Sequence, residues 1–276
     1  MKSFLKTKDH SVSGEEFQLM HSQDLDMLIT EPKPKNLETY YQSDDYISHT
    51  DAQETLVDKI YQSVKKHSLK KKLNLISQCA KTNKTLLDIG AGTGDFLLVA
   101  KNNGWSVNGI EPNAKASAKA KEKGVTTISN IESLPLTKRY HVITLWHVLE
   151  HLPDLENKIK IIISLLEDEG TLIIAVPNFK SYDAKYYNNF WAAYDVPRHL
   201  WHFSRNSIKM LFEKENMKVT KIKPMVFDSF YVSLLSEKYK TGNQHFIKAF
   251  CVGLWSNIKA WRTKEYSSLI YVLKKA

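Results

Sequence analysis

The stretch Leu86-Leu87-Asp88-Ile89-Gly90-Ala91-Gly92-Thr93-Gly94-Asp95-Phe96 joins an apolar run and an acidic residue to three glycines at alternate positions. Glycines there let the chain turn tightly and let a ligand press against main-chain atoms. Glu111 follows the glycines at about the 20-residue distance at which an acidic side chain ends the next strand of such a unit. A carboxylate in that place accepts two hydrogen bonds from the cis-diol of a ribose. Two cofactor classes share this plan. A dinucleotide site wants G-x-G-x-x-G with its pyrophosphate at a helix N-terminus. The spacing here is G-x-G-x-G, which departs from that pattern, while a nicotinamide site or a purely structural turn stays open.

These residues need a frame, and the rhythm from Thr85 supplies one. Short apolar runs at 86–89, 106–110, 125–128, 141–145 and 171–176 read as strands. They alternate with helical stretches at 95–102, 113–123 and from Asp154 to Gly170, where Leu155, Ile159, Ile162, Ile163 and Leu166 share a face. Continuous apolar strands alternating with helices predict a parallel sheet covered on both faces. After Pro177 the rhythm breaks into an aromatic-rich insertion, about 178–203. Ser204 then caps a helix through Glu215, and strands follow at 219–226 and 269–273, with mixed helical sequence at about 227–262 between them. Upstream, residues 56–80 read as helical, and residues 1–55 as short strands and loops. The expected organisation is an N-terminal appendage (1–55) and a main α/β domain (56–276) carrying a seven-stranded, mostly parallel sheet whose last strand is antiparallel.

The chain has 276 residues and a formal net charge of +9. Residues 9–54 are rich in Asp and Glu, whereas from Arg205 onward 14 Lys/Arg face 5 Asp/Glu. Such a basic half either is a solvated face or attracts nucleic acid, anionic lipid or a phosphorylated substrate. Lys65, Lys66, Lys70, Lys71 and Lys72 beside Leu69, Leu73 and Ile76 suggest weak contact with a membrane surface. No apolar run reaches the roughly 18 residues of a transmembrane span, and no secretory signal is read at Met1–His10. Two cysteines, Cys79 and Cys251, suggest neither a disulfide framework nor a thiolate zinc site. A cytoplasmic setting is the expectation.

Three stretches in order, Leu86–Phe96, His141–Asp154 (with Val148-Leu149-Glu150-His151-Leu152-Pro153-Asp154) and Gly170–Asn178, resemble the glycine, fourth-strand and fifth-strand motifs of class I S-adenosyl-L-methionine-dependent methyltransferases. The resemblance implies a Rossmann-like fold, S-adenosyl-L-methionine as cofactor and methyl transfer as activity. It also implies roles by position. Asp88 is the acidic residue before the glycines; Gly90, Ala91, Gly92 and Gly94 line the cofactor; Glu111 holds the ribose; Asn130 and Ile131 flank the adenine; Trp146 and His147 face the methionine and sulfonium.

Asp195-Val196-Pro197-Arg198-His199-Leu200 adds a narrower likeness to a bacterial subfamily often grouped with quinone-biosynthesis methylases. Its members commonly begin with a four-cysteine zinc ribbon. Here Ser11–Phe17 and Thr30–Pro34 resemble the text around the second cysteine pair, but Ser22 and Leu25 stand where those cysteines would be and the first pair is missing. A closed zinc site needs four ligands, so no metal is expected.

Methyl transfer is an in-line displacement, and an oxygen acceptor usually needs a base. His147, beside the expected sulfonium, and His199, in the insertion expected to cover the substrate, are the candidate catalytic residues; the plainer role for each is a structural histidine bonded to backbone. His151 reads as fixing the loop before the next helix. Arg198 either binds an acidic substrate group or pairs with Asp195. Tyr194, Arg198, His199 and Trp201 are the candidate substrate-binding residues, with the aromatic cluster around them either walling the acceptor or forming core. The expected acceptor is a small molecule, on oxygen, such as a quinol-like phenol or a sugar hydroxyl. The alternatives are an NAD(P)-dependent oxidoreductase, a non-catalytic cofactor-binding protein and an RNA methyltransferase. Against the last stand the lack of an N-P-P-Y-type motif, a catalytic cysteine pair or an added RNA-binding module. No obligate protein partner is expected.

Overall fold

Apolar runs too short for helices but long enough for strands, alternating with helices, fold as the alternation predicts. The computed structural model describes residues 1–41, 56–80, 83–135 and 137–276. Its strands are β1 (Lys2–Lys8), β2 (Glu16–Ser22), β3 (Met27–Glu31), β4 (Thr85–Ile89), β5 (Ser106–Ile110), β6 (Thr127–Ile128), β7 (Tyr140–Trp146), β8 (Leu166–Pro177), β9 (Trp201–His202), β10 (Met217–Pro224) and β11 (Ser268–Lys275). The helices are α1 (Leu56–Cys79), α2 (Asp95–Asn102), α3 (Ala114–Glu122), α4 (Leu155–Ser164), α5 (Tyr182–Tyr187), α6 (Arg205–Glu213), α7 (Asp228–Thr241) and α8 (Phe246–Thr263).

The large sheet has the order β10-β11-β8-β7-β4-β5-β6. β4 pairs in parallel with both β5 and β7, and β5 with β6. The last strand runs the other way. Past the end of β8, the Asn178 N–H donates to the Ser267 carbonyl just before β11 begins, while the last residue of β11, Lys275, reaches the carbonyl of Leu166, the first residue of β8. A seven-stranded, mostly parallel α/β sheet with one reversed strand is therefore present.

Packing divides the chain into two compact units. One comprises Asp44–Val148, Glu156–Ile174 and Val272–Ala276; the other comprises Met1–Ser43, Leu149–Leu155 and Ala175–Tyr271. The boundary expected at residue 55 lies outside the described residues. The described part of the expected appendage is no free-standing piece, because β1, β2 and β3 form an antiparallel meander that β9 extends into a four-stranded sheet.

In the first unit Leu86, Leu87, Val142, Ile143, Leu172 and Ile173 have no exposed surface, as befits strands buried on both faces. The helix expected to run to Gly170 stops at Ser164. The Tyr140 N–H takes the Leu165 carbonyl at 2.9 Å, so the sheet captures the chain five residues before that glycine, and Leu166 begins β8 instead of ending the helix. Of the five lysines singled out on α1, Lys66, Lys70 and Lys71 are exposed and two face the protein. Lys65 pairs with Asp95 at 2.7 Å, and Lys72 Nζ lies 4.5 Å from the centre of the Trp146 ring, so both cations are turned to the protein, and Ile76 is buried. Among the described residues no helix is long and apolar enough to cross a membrane.

In the second unit the core gathers Phe17, Leu19, Leu28, Tyr187, Trp191 and Tyr194. The Ser204 cap is realised, with Ser207 completing a capping box. α8 inverts the usual helix pattern. It buries Ala249, Gly253, Ser256 and Ala260 and exposes Phe250, Trp255 and Trp261. The small stripe is what α7 needs, since a Cβ on Gly253 would meet Phe230 at 2.9 Å.

Candidate functional site

β4 ends at Ile89 and the chain turns back into α2 through Gly90–Gly94. The Gly90 and Ala91 N–H groups donate to the Ile110 carbonyl at 2.8 and 2.9 Å, which ties the turn to the end of β5. Gly92 has φ +54°, and a Cβ added there would have no atom within 4 Å, so its face of the turn opens onto free space. Gly94 has a different reason to be glycine. It has φ +76° and a Cβ there would lie 2.9 Å from that of Ala120, so it lets α2 and α3 pack closely rather than lining an opening.

Glu111 closes this arrangement. Its Oε2 accepts the Gly92 N–H and its Oε1 the Asn113 N–H, each at 2.8 Å. Both carboxylate oxygens are thereby fixed in place while each keeps capacity for a further bond. Asp88 lies beneath the turn at 2% exposure and accepts the Thr144 hydroxyl at 2.6 Å. Burial pushes its carboxyl up to about 7 against that hydrogen bond and the charge of Lys72. Asp88 is thus a positioning residue for the strand end and presents almost no surface to a ligand.

Asn130 is exposed and caps the short turn Ile131–Ser133 by accepting the Ser133 N–H at 2.9 Å; Ile131 is buried at 7%. Trp146 stands edge-on to Phe96 at 5.8 Å, and its indole N–H is buried without a hydrogen-bond partner among the described residues. His147 follows with φ +57°, a backbone state that side chains other than glycine seldom hold unless their surroundings impose it.

The second unit holds the other predicted residues. Arg198, 3% exposed, spends its fork internally. It donates to Asp195 through Nε and Nη2, to Asp9 at 3.0 Å, to the Ser11 hydroxyl and to the Tyr40 carbonyl. Asp9 also accepts the Ser11, Val12 and Ser13 N–H groups. Burial alone would raise its carboxyl, yet Arg198 and these N–H groups hold it well below the usual carboxylate range. Of the two roles the sequence leaves open for Arg198, the ion pair with Asp195 is the one formed, and the fork is turned into the protein. Tyr194 is likewise core rather than an acceptor wall: it is 3% exposed, edge-on to Trp191 at 4.9 Å and to His202 at 5.5 Å. Trp201 donates to the Leu152 carbonyl at 2.8 Å and carries Lys33 over its half-exposed ring.

His199 is 8% exposed, with Nδ1 2.9 Å from the Ala193 carbonyl. The His151 ring stands edge-on to it at 4.5 Å, with Nδ1 3.0 Å from the Arg198 carbonyl and 2.9 Å from Tyr41 Oη. Burial and the neighbouring His199 push the His151 pKa down to about 4. Glu150, 1% exposed, completes the cluster.

The structure thus brings Gly92, Glu111, Trp146 and His147 together within one unit, with Asp88 and Gly94 as supports. In the other unit it gathers His151, His199 and Glu150. Sequence reading missed Glu150, Thr144, Lys72 and Asp9. Glu150 and His151 sat inside a motif already singled out, whereas Asp9 carried no local sign of Arg198, 189 residues away.

A family described as "Methyltransferase domain" matches residues 61–222. No curated protein matches the sequence. Among solved structures, magnesium protoporphyrin IX methyltransferase from Synechocystis PCC 6803, with S-adenosylhomocysteine (SAH) bound, is similar at 14% identity and a TM-score of 0.55, over 83% of this chain and 91% of that one. A possible histamine N-methyltransferase from Thermotoga maritima is similar at 18% identity and 0.52, over 75% and 89%. A methyltransferase from Archaeoglobus fulgidus that depends on S-adenosylmethionine (SAM) is similar at 18% and 0.52, over 76% and 94%.

Proposed function

The chain belongs to the methyltransferase-domain family, and from that premise we propose that it transfers the methyl group of S-adenosyl-L-methionine to an oxygen of a small molecule, a quinol-like phenol or a sugar hydroxyl. The observation that carries the reading is the Glu111 carboxylate, locked by two backbone N–H groups beside the open face of Gly92. That geometry suits a ribose diol. It does not suit a pyrophosphate, because the Gly92 N–H is already used and Asp95 places a carboxylate in the first turn of α2. An oxidoreductase using a nicotinamide dinucleotide is correspondingly disfavoured.

When bound, the cofactor supplies a methyl carbon activated by its sulfonium. The chain supplies the rest. The turn 90–94 gives a main-chain floor, and Glu111 holds the diol. Asn130 and Ile131 edge the base, and Trp146 the methionine end. His147 takes the proton that an acceptor hydroxyl gives up, and its strained backbone is the kind of feature that surrounding structure maintains at working sites.

Incubating the purified chain with methyl-labelled SAM and a cell extract, then identifying labelled products by mass spectrometry, tests this. Label on an oxygen of a small molecule is expected. Label on nitrogen, carbon or RNA would overturn the acceptor, and no transfer to any component would overturn the activity.

A further inference from the structure

We propose that Glu150, His151 and His199 form a binding site for one divalent first-row transition-metal ion. The three side chains offer ligand atoms that all lie within 4.8 Å of one another, close enough for a shared ion with bonds of about 2.1 Å after small side-chain rotations. Two imidazoles and one carboxylate are a donor set suited to zinc or iron, and three protein ligands leave positions open.

The surroundings of the two rings favour this over a plain hydrogen-bonded pair. A carbonyl oxygen only accepts, so the Ala193 contact of His199 draws its proton to Nδ1, and the Arg198 carbonyl does the same at His151, where the Tyr41 hydroxyl at 2.9 Å then accepts beside it. Each Nε2 is left as a lone pair. Backbone carbonyls anchoring Nδ1–H are the usual second partners of metal-ligating histidines, because they fix both tautomer and ring orientation. The two rings already stand side by side, with centres 4.5 Å and planes 81° apart. The Asp195 carboxylate, 3.9 Å from His199 Nε2, adds negative charge nearby and is itself held by Arg198. Glu150 and His199 are buried in the second unit, Glu150 at 1% and His199 at 8% exposure, where a bound ion would be shielded from bulk water.

This site was not expected from the missing zinc-ribbon cysteines, which concern residues 22 and 25 and not this cluster. It stands whether or not the chain transfers a methyl group, so metal binding is read directly. The untagged full chain, freed of metal by chelation, is titrated with Co2+ while its visible absorption is recorded, and crystals are soaked in the same ion. One equivalent is expected to bind, with anomalous density between Glu150, His151 and His199. His199→Ala and Glu150→Gln should weaken binding by more than about 100-fold, the upper end of what losing even an outer partner costs. His245→Ala, an exposed site outside the cluster, should bind as the wild type does. Circular dichroism on the same samples separates local loss from unfolding. Binding of less than one equivalent by the wild type, anomalous density elsewhere, or folded His199→Ala and Glu150→Gln proteins that bind Co2+ undiminished would each overturn the proposal.

Discussion

Glu111 and Arg198 are both charged side chains fixed by several hydrogen bonds, but they are built in opposite ways. Glu111 takes its partners from 2 and 19 residues away, and both are backbone N–H groups. Arg198 takes Asp9, Ser11 and Tyr40 from 158 to 189 residues away, and only Asp195 from nearby. The first is a local device that leaves the open face of Gly92 beside it for a ligand. The second is a hub that joins the turn after β1 to the loop before β9, and its buried fork is spent mainly inside the protein. A charged residue in a conspicuous motif is therefore read by what its donors and acceptors already hold.

The sharpest way to break this contrast is Arg198→Met. It leaves the buried Asp9 carboxylate without its cation, at a cost of about 3–5 kcal/mol, and thermal or urea unfolding should show it. An unchanged midpoint would mean that the hub is not structural. Adding Asp9→Asn should cost less than the sum of the two single changes, because the charges act as one network. The sign with pH is fixed as well. Asp9 is held below its unfolded value, so its contribution is present above the ordinary carboxylate range and is lost as pH falls through its folded value. Wild type should therefore lose stability in acid more steeply than the double variant.

Glu111→Gln should act on the other side of the comparison. Affinity for SAH, measured by calorimetry, should fall on the order of 100-fold, with a smaller loss of stability than Arg198→Met. Equal losses in both assays would merge the two regions into one class.

Asp88→Asn sharpens the distinction between support and contact. Burial raises the Asp88 carboxyl to about 7, above its unfolded value, so its contribution is complete only below the ordinary carboxylate range and is lost progressively as pH rises from there through 7. The variant should gain on wild type by roughly 2–3 kcal/mol between pH 5 and pH 8, read from urea midpoints. A constant difference across that range would contradict a buried, protonated carboxyl. The smallest effect is expected for Asn130→Ala. Losing this cap should cost about 0.5–1 kcal/mol and leave SAH affinity within a few-fold.

The same contrast explains what could be read in advance. The strand and helix alternation, the glycine turn and Glu111 were legible because each rests on neighbours in the chain or on a period of the chain. Ser204 was legible as a cap for the same reason. The end of α4 was not, since a strand bond from Tyr140, and not Gly170, stops it. Nor was the arrangement around Arg198, His151 and His199, where residues 9, 40 and 150 converge through tertiary packing. The aromatic insertion reads from sequence as either a substrate wall or core, and apolar composition alone does not separate the two; Tyr194 and Trp191 are core. α8 shows the converse, because its large apolar side chains face outward while its small ones pack.

The central claim is that the turn from Gly90 to Gly94 and Glu111 bind a nucleoside through its diol and not through a phosphate. Titrating the full chain in parallel with SAH and with NADH tests it most directly. Saturable one-to-one binding of SAH with no heat from NADH is the predicted result; NADH binding with SAH inert would contradict it.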